Sequence, residues 1–303
     1  MKTLHIKGAD YDIKLPKKSA FTIETPPDQF KLHQLSAIVA SRGSGKSVIA
    51  SSLLQGLKRQ GCMDRVFIIS PTIASNRPIF DPLGIAEEDE YHIPCGEAVA
   101  DIIRKVNEEQ AEWEEYETQL KVYKILQKLL SNQRVRLDDI PPEYLEMALQ
   151  GGFLNRPPES KYGHRPVLGL VIDDCQGTPL YVQSAKNPLI NLLLRHRHVG
   201  KGLGISVWLL AQSYNSPSGI PRSVRQNLTT LFLGRQKNED VVKQIAEELG
   251  GSINKDDFVK IFNKAHENDS PHDFLVIDFH PKEPHKQFRK NLNEYIINDG
   301  VST

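Results

Sequence analysis

Ala40-Ser41-Arg42-Gly43-Ser44-Gly45-Lys46-Ser47 stands between two segments of different periodicity. Leu35-Ser36-Ala37-Ile38-Val39 before it is a short apolar run of strand type, and Val48–Leu57 after it repeats its apolar positions at helical spacing. Strand, glycine-rich loop and helix in that order form the setting of a phosphate-binding P-loop. Gly43 and Gly45 let the backbone curl so that successive N–H groups converge. The helix start adds free N–H groups and the positive end of its dipole. Lys46 is expected to reach the β- and γ-phosphates of ATP and the Ser47 hydroxyl to ligate Mg²⁺. The nucleotide contacts are thus assigned to Arg42, Gly43, Ser44, Gly45, Lys46, Ser47 and Val48. Ala40 stands where the pattern G-x-x-x-x-G-K-[ST] has glycine, so a slightly altered approach to the loop is expected.

A second chemical motif ends the apolar run Val167-Leu168-Gly169-Leu170-Val171-Ile172 with Asp173-Asp174. In P-loop NTPases an acid at a strand end holds Mg²⁺, directly or through its water shell. Asp173 suits that metal role, and Asp174 suits orienting the attacking water. A further strand, Ile205–Ala211, ends at Gln212-Ser213. Gln212 can donate and accept, so it can sense the γ-phosphate. Ser70 and Thr72, at the end of the strand Arg65–Ser70, are weaker candidates, because ligands sit at the carboxyl edge of parallel sheets. Arg195, Arg197, Arg222 and Arg225 are expected near the same edge, where one or two could stabilise the transferring phosphoryl group across a subunit boundary. The basic stretch Arg195–Gly204 could equally face DNA phosphates.

Around these motifs the chain alternates strands with helices, which indicates a mostly parallel α/β sheet. Residues 1–34 read as a β-rich lead-in with alternation at Tyr11–Leu15 and Phe21–Glu24. Residues 35–303 form the core, with a mainly helical insertion at about 85–165, a late strand at Phe274–Phe279 and a polar tail. Within the insertion, 98–132 reads as an amphipathic helix or helical hairpin without sustained heptads. Thr229–Gly234 reads as a strand and Asn238–Leu249 as a helix. Asp256, Asp257, Asp269, Asp273 and Asp278 are scattered and read mostly as surface residues, which disfavours a nuclease-type carboxylate cluster.

The 303 residues carry 38 basic and 38 acidic side chains, so overall charge announces no nucleic-acid partner. Any DNA contact must come from a local basic surface or a pore between subunits. Three separated cysteines match no zinc spacing and suggest free thiols in a reducing compartment. No apolar run approaches the ~20 residues of a membrane span. A soluble intracellular protein is expected.

Taken in order, Ala40–Ser47, Asp173-Asp174, Arg197-His198, Ile205-Ser206 to Gln212-Ser213 and Arg225-Gln226-Asn227 give the chain a family likeness over roughly Leu35 to Gly234. It resembles the poxvirus-type DNA-packaging ATPases of large double-stranded DNA viruses, within the FtsK/HerA group of P-loop motors. The resemblance implies a RecA-like P-loop NTPase of the additional-strand class that uses ATP and Mg²⁺. It also implies a homo-oligomeric ring, a pentamer or hexamer, that translocates double-stranded DNA into a preformed capsid. Capsid or portal-vertex proteins would be partners, and the host cytoplasm or the virion the location. By motif match Lys46 and Ser47 bind nucleotide and Mg²⁺, Asp173 and Asp174 serve metal and water, and Gln212 senses phosphate. Arg197 matches the arginine finger, with Arg195 and Arg225 in reserve. Ala40 and the extra Gly-Lys-Gly before Ile205 depart from the family pattern. Two other readings are a cellular or plasmid DNA-pumping ATPase of the same group and a slow nucleotide-gated switch.

Overall fold

The computed structural model describes residues 22–131, 140–182, 184, 186–216, 219–236, 238–248, 253–268 and 270–297. Its centre is a nine-stranded sheet in the order β3-β2-β4-β5-β1-β6-β7-β8-β9. The strands are β1 (Leu35–Val39), β2 (Arg65–Ile69), β3 (Glu90–Tyr91), β4 (Leu168–Asp173), β5 (Ser206–Ala211), β6 (Thr230–Gly234), β7 (Phe274–Asp278), β8 (Phe288–Lys290) and β9 (Glu294–Tyr295). The six from β3 to β6 run parallel, and β7, β8 and β9 continue the sheet antiparallel. The five central strands β2, β4, β5, β1 and β6 are almost entirely buried, as strands covered on both faces must be. β5 lies between the P-loop strand β1 and the acid-bearing strand β4, which is the additional-strand arrangement expected above.

Alternate residues of each strand serve opposite faces. Leu35, Ala37 and Val39 join one core with α3 (Gly96–Leu130), α5 (Pro188–Arg195), α8 (Glu239–Glu248) and α9 (Lys255–Ala265). Ile38 and Ala40 join a second core with α1 (Lys46–Arg59) and α2 (Ile73–Phe80). The helical reading of 98–132 corresponds to one continuous helix, α3, of 35 residues that ends at Leu130. At 1.5 Å per residue it is about 52 Å long and outruns the sheet. Its first half packs Ala98, Val99, Ile102 and Val106 into the main core. Its second half packs Val122 and Leu126 with Ile140, Phe153 and Ala148 of α4 (Pro142–Gln150) in a small core of their own. Val122 lies about 200° around the axis from Ile102. The apolar stripe therefore changes face midway, which is why no heptad runs through.

Several sequence expectations need correction. Thr22–Gln34 forms no strand, and Tyr11–Leu15 lies outside the described residues. The described residues of 85–165 are mainly helical, but Glu90–Tyr91 pairs with β2 and the start of α3 is core. The polar tail after Phe279 contains β8 and β9. Asp273 and Asp278 are buried rather than superficial. Asp273 accepts from Asn291 Nδ2 at 3.2 Å, and Asp278 from the His280 N–H at 2.9 Å, so both brace the antiparallel extension. Among the described residues, no helix is long and apolar enough to cross a membrane.

Candidate functional site

The carboxyl ends of β1, β4 and β5 meet the start of α1 around a cleft of about 560 Å³. Gly43 and Gly45 adopt φ of 78° and 90°, left-handed values that a side chain would strain. Arg42, Gly43, Gly45, Lys46, Ser47 and Val48 line the cleft. Ser44 is buried, and its hydroxyl donates to the Ser41 carbonyl at 2.8 Å, so it fastens the loop instead of facing the cleft. The Lys46 ammonium donates to the Ala40 and Ser41 carbonyls at 2.9 Å each. Burial draws its pKa down, against the opposing pull of Asp173 and Asp174.

Opposite the loop, Asp173 ends β4 and is 4% exposed. Burial first, and the neighbouring Asp174 second, push its carboxyl up to about 6, while Lys46, Asn76 and Ser47 favour the ionised form. Asn76 Nδ2 reaches Asp173 Oδ2 at 3.2 Å and Thr72 Oγ1 at 3.4 Å, and Thr72 Oγ1 lies 3.2 Å from Ser70 Oγ. Ser70 therefore acts only through Thr72, whereas Thr72 lines the cleft. Asp174 has φ 51°, a conformation that aspartate tolerates better than bulkier residues, and its exposed side chain turns into the cleft. Gln212 Nε2 donates to Asp174 Oδ1 at 3.2 Å. Gln176 ties the two strand ends together, accepting from the Gln212 N–H and donating to the Ser213 carbonyl at 3.2 Å.

Among the polar residues that line the cleft, those that sequence reading missed include Asn76, Gln176 and His272. Asn76 sits on α2, one turn beyond the strand-end Thr72, and only the polar strand end hinted at it. His272 precedes β7, far along the chain, yet its Nδ1 lies 3.3 Å from where a Cβ on Gly45 would be. No local pattern marks it.

The four arginines do not share one edge: Arg222 and Arg225 line a cleft beside the carboxyl ends of β4 and β5, and Arg197 lies at the opposite edge. Arg197 lines a separate cleft with Lys31, His33, Thr229 and His280, at the amino ends of β1 and β6. The reason is topological: after α5 the chain must return to the amino edge before β5 can run parallel to β4. Strands of five or six residues put the two edges about 16–20 Å apart. Arg195, at the end of α5, and Arg197 are both exposed. Arg225, on the short helix α7 (Arg222–Arg225), is already engaged within the chain. Its Nε and Nη2 donate to Glu248 at 2.9 and 2.7 Å, Nη1 donates to the Ile220 carbonyl at 2.8 Å, and the guanidinium lies 5.0 Å from the Tyr214 ring centroid. Arg222 is exposed and lines a neighbouring cleft with Asn215 and Thr178.

No family model matches the chain, and no curated protein matches it. Solved structures with a related chain path include the conjugation coupling protein TcpA of pCW3 bound to ATPγS, at 13% identity and TM-score 0.45, covering 87% of this chain and 61% of that one. EssC (ATPases 2 and 3) from Geobacillus thermodenitrificans is 14% identical with TM-score 0.43, covering 89% and 41%. The genome packaging NTPase of Sulfolobus turreted icosahedral virus 2 with AMPPCP is 14% identical with TM-score 0.40, covering 85% and 96%. The chain thus spans less than two thirds of TcpA and of EssC.

Proposed function

We propose that this protein is an ATPase that drives double-stranded DNA through a ring of its own copies, and that its task is packaging a viral genome into a preformed capsid. The observation that carries the ATPase reading is the convergence of Lys46, Asp173, Asp174 and Gln212 on one cleft from three adjacent strand ends. Lys46 and the loop N–H groups hold the phosphates. The all-oxygen donor set of Ser47 and Asp173 suits Mg²⁺, which would neutralise charge on the phosphates. The bond from Gln212 to Asp174 supports roles in which Asp174 orients a water and takes its proton and Gln212 reports on the γ-phosphate. Arg197, with Arg195 beside it, is exposed on the far edge and can serve only the nucleotide of a neighbouring copy. That geometry favours a ring, and the pairing of Arg225 with Glu248 supports a structural role for Arg225. The packaging role and the capsid or portal partner rest on the order of sequence motifs from Ala40 to Asn227.

The test is ATP hydrolysis with and without long double-stranded DNA. The expected result is hydrolysis strongly stimulated by DNA and lost in both Lys46→Ala and Asp174→Asn. Slow turnover indifferent to DNA, in protein that has assembled, would favour a nucleotide-gated switch. DNA-stimulated turnover with no capsid or portal association would favour a DNA pump outside virion assembly.

A further inference from the structure

The chain is neutral overall, but α3 is not. Residues 96–117 hold eight acidic and two basic side chains, whereas 118–130 hold three lysines and no acid. Lys121, Lys124 and Lys128 are exposed, and among the described residues none has an ion-pair partner. Val122 and Leu126 face α4, so the lysines occupy the other side of the helix. That side continues an earlier basic element. Lys201, in the turn α6 (Val199–Gly202), pairs with Glu114 at 2.8 Å. Glu114, Lys121 and Lys128 follow at seven-residue steps, nearly in line and about 10.5 Å apart along the axis. The exposed Arg195, Arg197, His198 and Lys201 thus lead into the lysine row. Glu114 and Glu117 are the acids on this line, both at its upper end, and Lys201 neutralises the first.

We infer that this row is a sequence-independent docking surface for the backbone of double-stranded DNA, separate from the nucleotide cleft. The choice of DNA as the polyanion rests on the motor reading above. The lysines span about 10.5 Å, or about 21 Å counted from the Lys201–Glu114 pair, on a helix braced by its own small core. A duplex offers a comparably straight line of charge, one per about 1.7 Å of axis. Lysines supply point charges suited to phosphates and read no bases. A lipid surface would call for an apolar face, and Ile125 is the exposed large apolar residue among these lysines.

The experiment measures binding of a 40-base-pair duplex without nucleotide, across a salt series. It compares the wild type, a Lys121→Gln/Lys124→Gln/Lys128→Gln variant and the corresponding triple Lys→Arg variant. Glutamine keeps helix propensity, so the fold should survive, as circular dichroism would verify. The glutamine variant should bind at least about tenfold more weakly, with a log affinity–log salt slope shallower by about two to three. The arginine variant should match the wild type, and ATP hydrolysis without DNA should be the same in all three. An unchanged slope and affinity in the glutamine variant overturns the inference. So does wild-type binding to phosphatidylserine vesicles or an acidic polypeptide but not to duplex. Failure of ATP hydrolysis would overturn the ATPase reading instead, because the binding series needs no nucleotide.

Discussion

Ala40 and Gly234 share one space: a Cβ built on Gly234 would lie 2.4 Å from the Ala40 Cβ. β1 and β6 are neighbours, so the alanine that replaces the usual P-loop glycine is accommodated by a glycine across the sheet. The Ala40 carbonyl also holds the Lys46 ammonium, so crowding here reaches the nucleotide site. Gly234→Ala should destabilise the fold by about 1–3 kcal/mol through overpacking and raise KM for ATP. Adding Ala40→Gly should recover most of the loss, with a remainder because the Phe274 ring is 3.3 Å from the same point. Thermal melts of the two singles and the double decide it. Equal destabilisation of Gly234→Ala with and without Ala40→Gly would refute the pairing.

The raised pKa of Asp173 has a stability consequence of definite sign. Its carboxyl titrates near 6 in the folded protein against an ordinary value of 3.8. The folded state therefore holds this proton more tightly than the unfolded chain, and stability falls as pH rises through that window. Below the window the penalty is absent, and above it the penalty is complete, on the order of 1–3 kcal/mol. In Mg²⁺-free buffer Asp173→Asn should melt higher than the wild type at about pH 7.5 and alongside it near pH 4, while abolishing hydrolysis. The same melting difference at both pH values would count against a titrating Asp173.

Gln212 touches Asp174 and lies outside the P-loop, so its loss should affect turnover more than binding. Gln212→Ala should lower kcat by roughly 10- to 100-fold and leave KM for ATP nearly unchanged. Steady-state kinetics separate the two constants. A rise in KM with normal kcat would make Gln212 a binding residue.

Arg225 and Arg197 should part company when replaced. Arg225 is held by Glu248, so Arg225→Ala and Glu248→Gln should each lower stability by about 2 kcal/mol and lose activity in parallel. Exposed Arg197→Ala should leave stability within about 0.5 kcal/mol while suppressing hydrolysis. Mixing inactive Arg197→Ala with inactive Lys46→Ala subunits should restore turnover, since one supplies an intact P-loop and the other an intact arginine. No recovery in mixed assemblies would argue against an arginine acting between copies.

Much of the sheet was legible because buried parallel strands are short apolar runs with polar ends. β1, β5, β6 and β7 each begin within a residue of where periodicity places them. The antiparallel strands β8 and β9 were not, since Phe288–Lys290 and Glu294–Tyr295 are too short and mixed to show a period. α3 was legible as helical but not as one helix, because its apolar stripe moves to a second face when its neighbour changes from sheet to α4.

The local chain by itself determined the P-loop, the paired acids and the strand-end glutamine. Each depends on residues adjacent in sequence, where backbone geometry and side-chain chemistry act over a few bonds. Tertiary structure alone decided that Asn76 and His272 join the cleft, that Gly234 makes room for Ala40, and that Arg197 stands a strand's length from its own nucleotide site. Those relations depend on strand order and on which edge each connection returns to, and they are settled by burying both faces of one sheet.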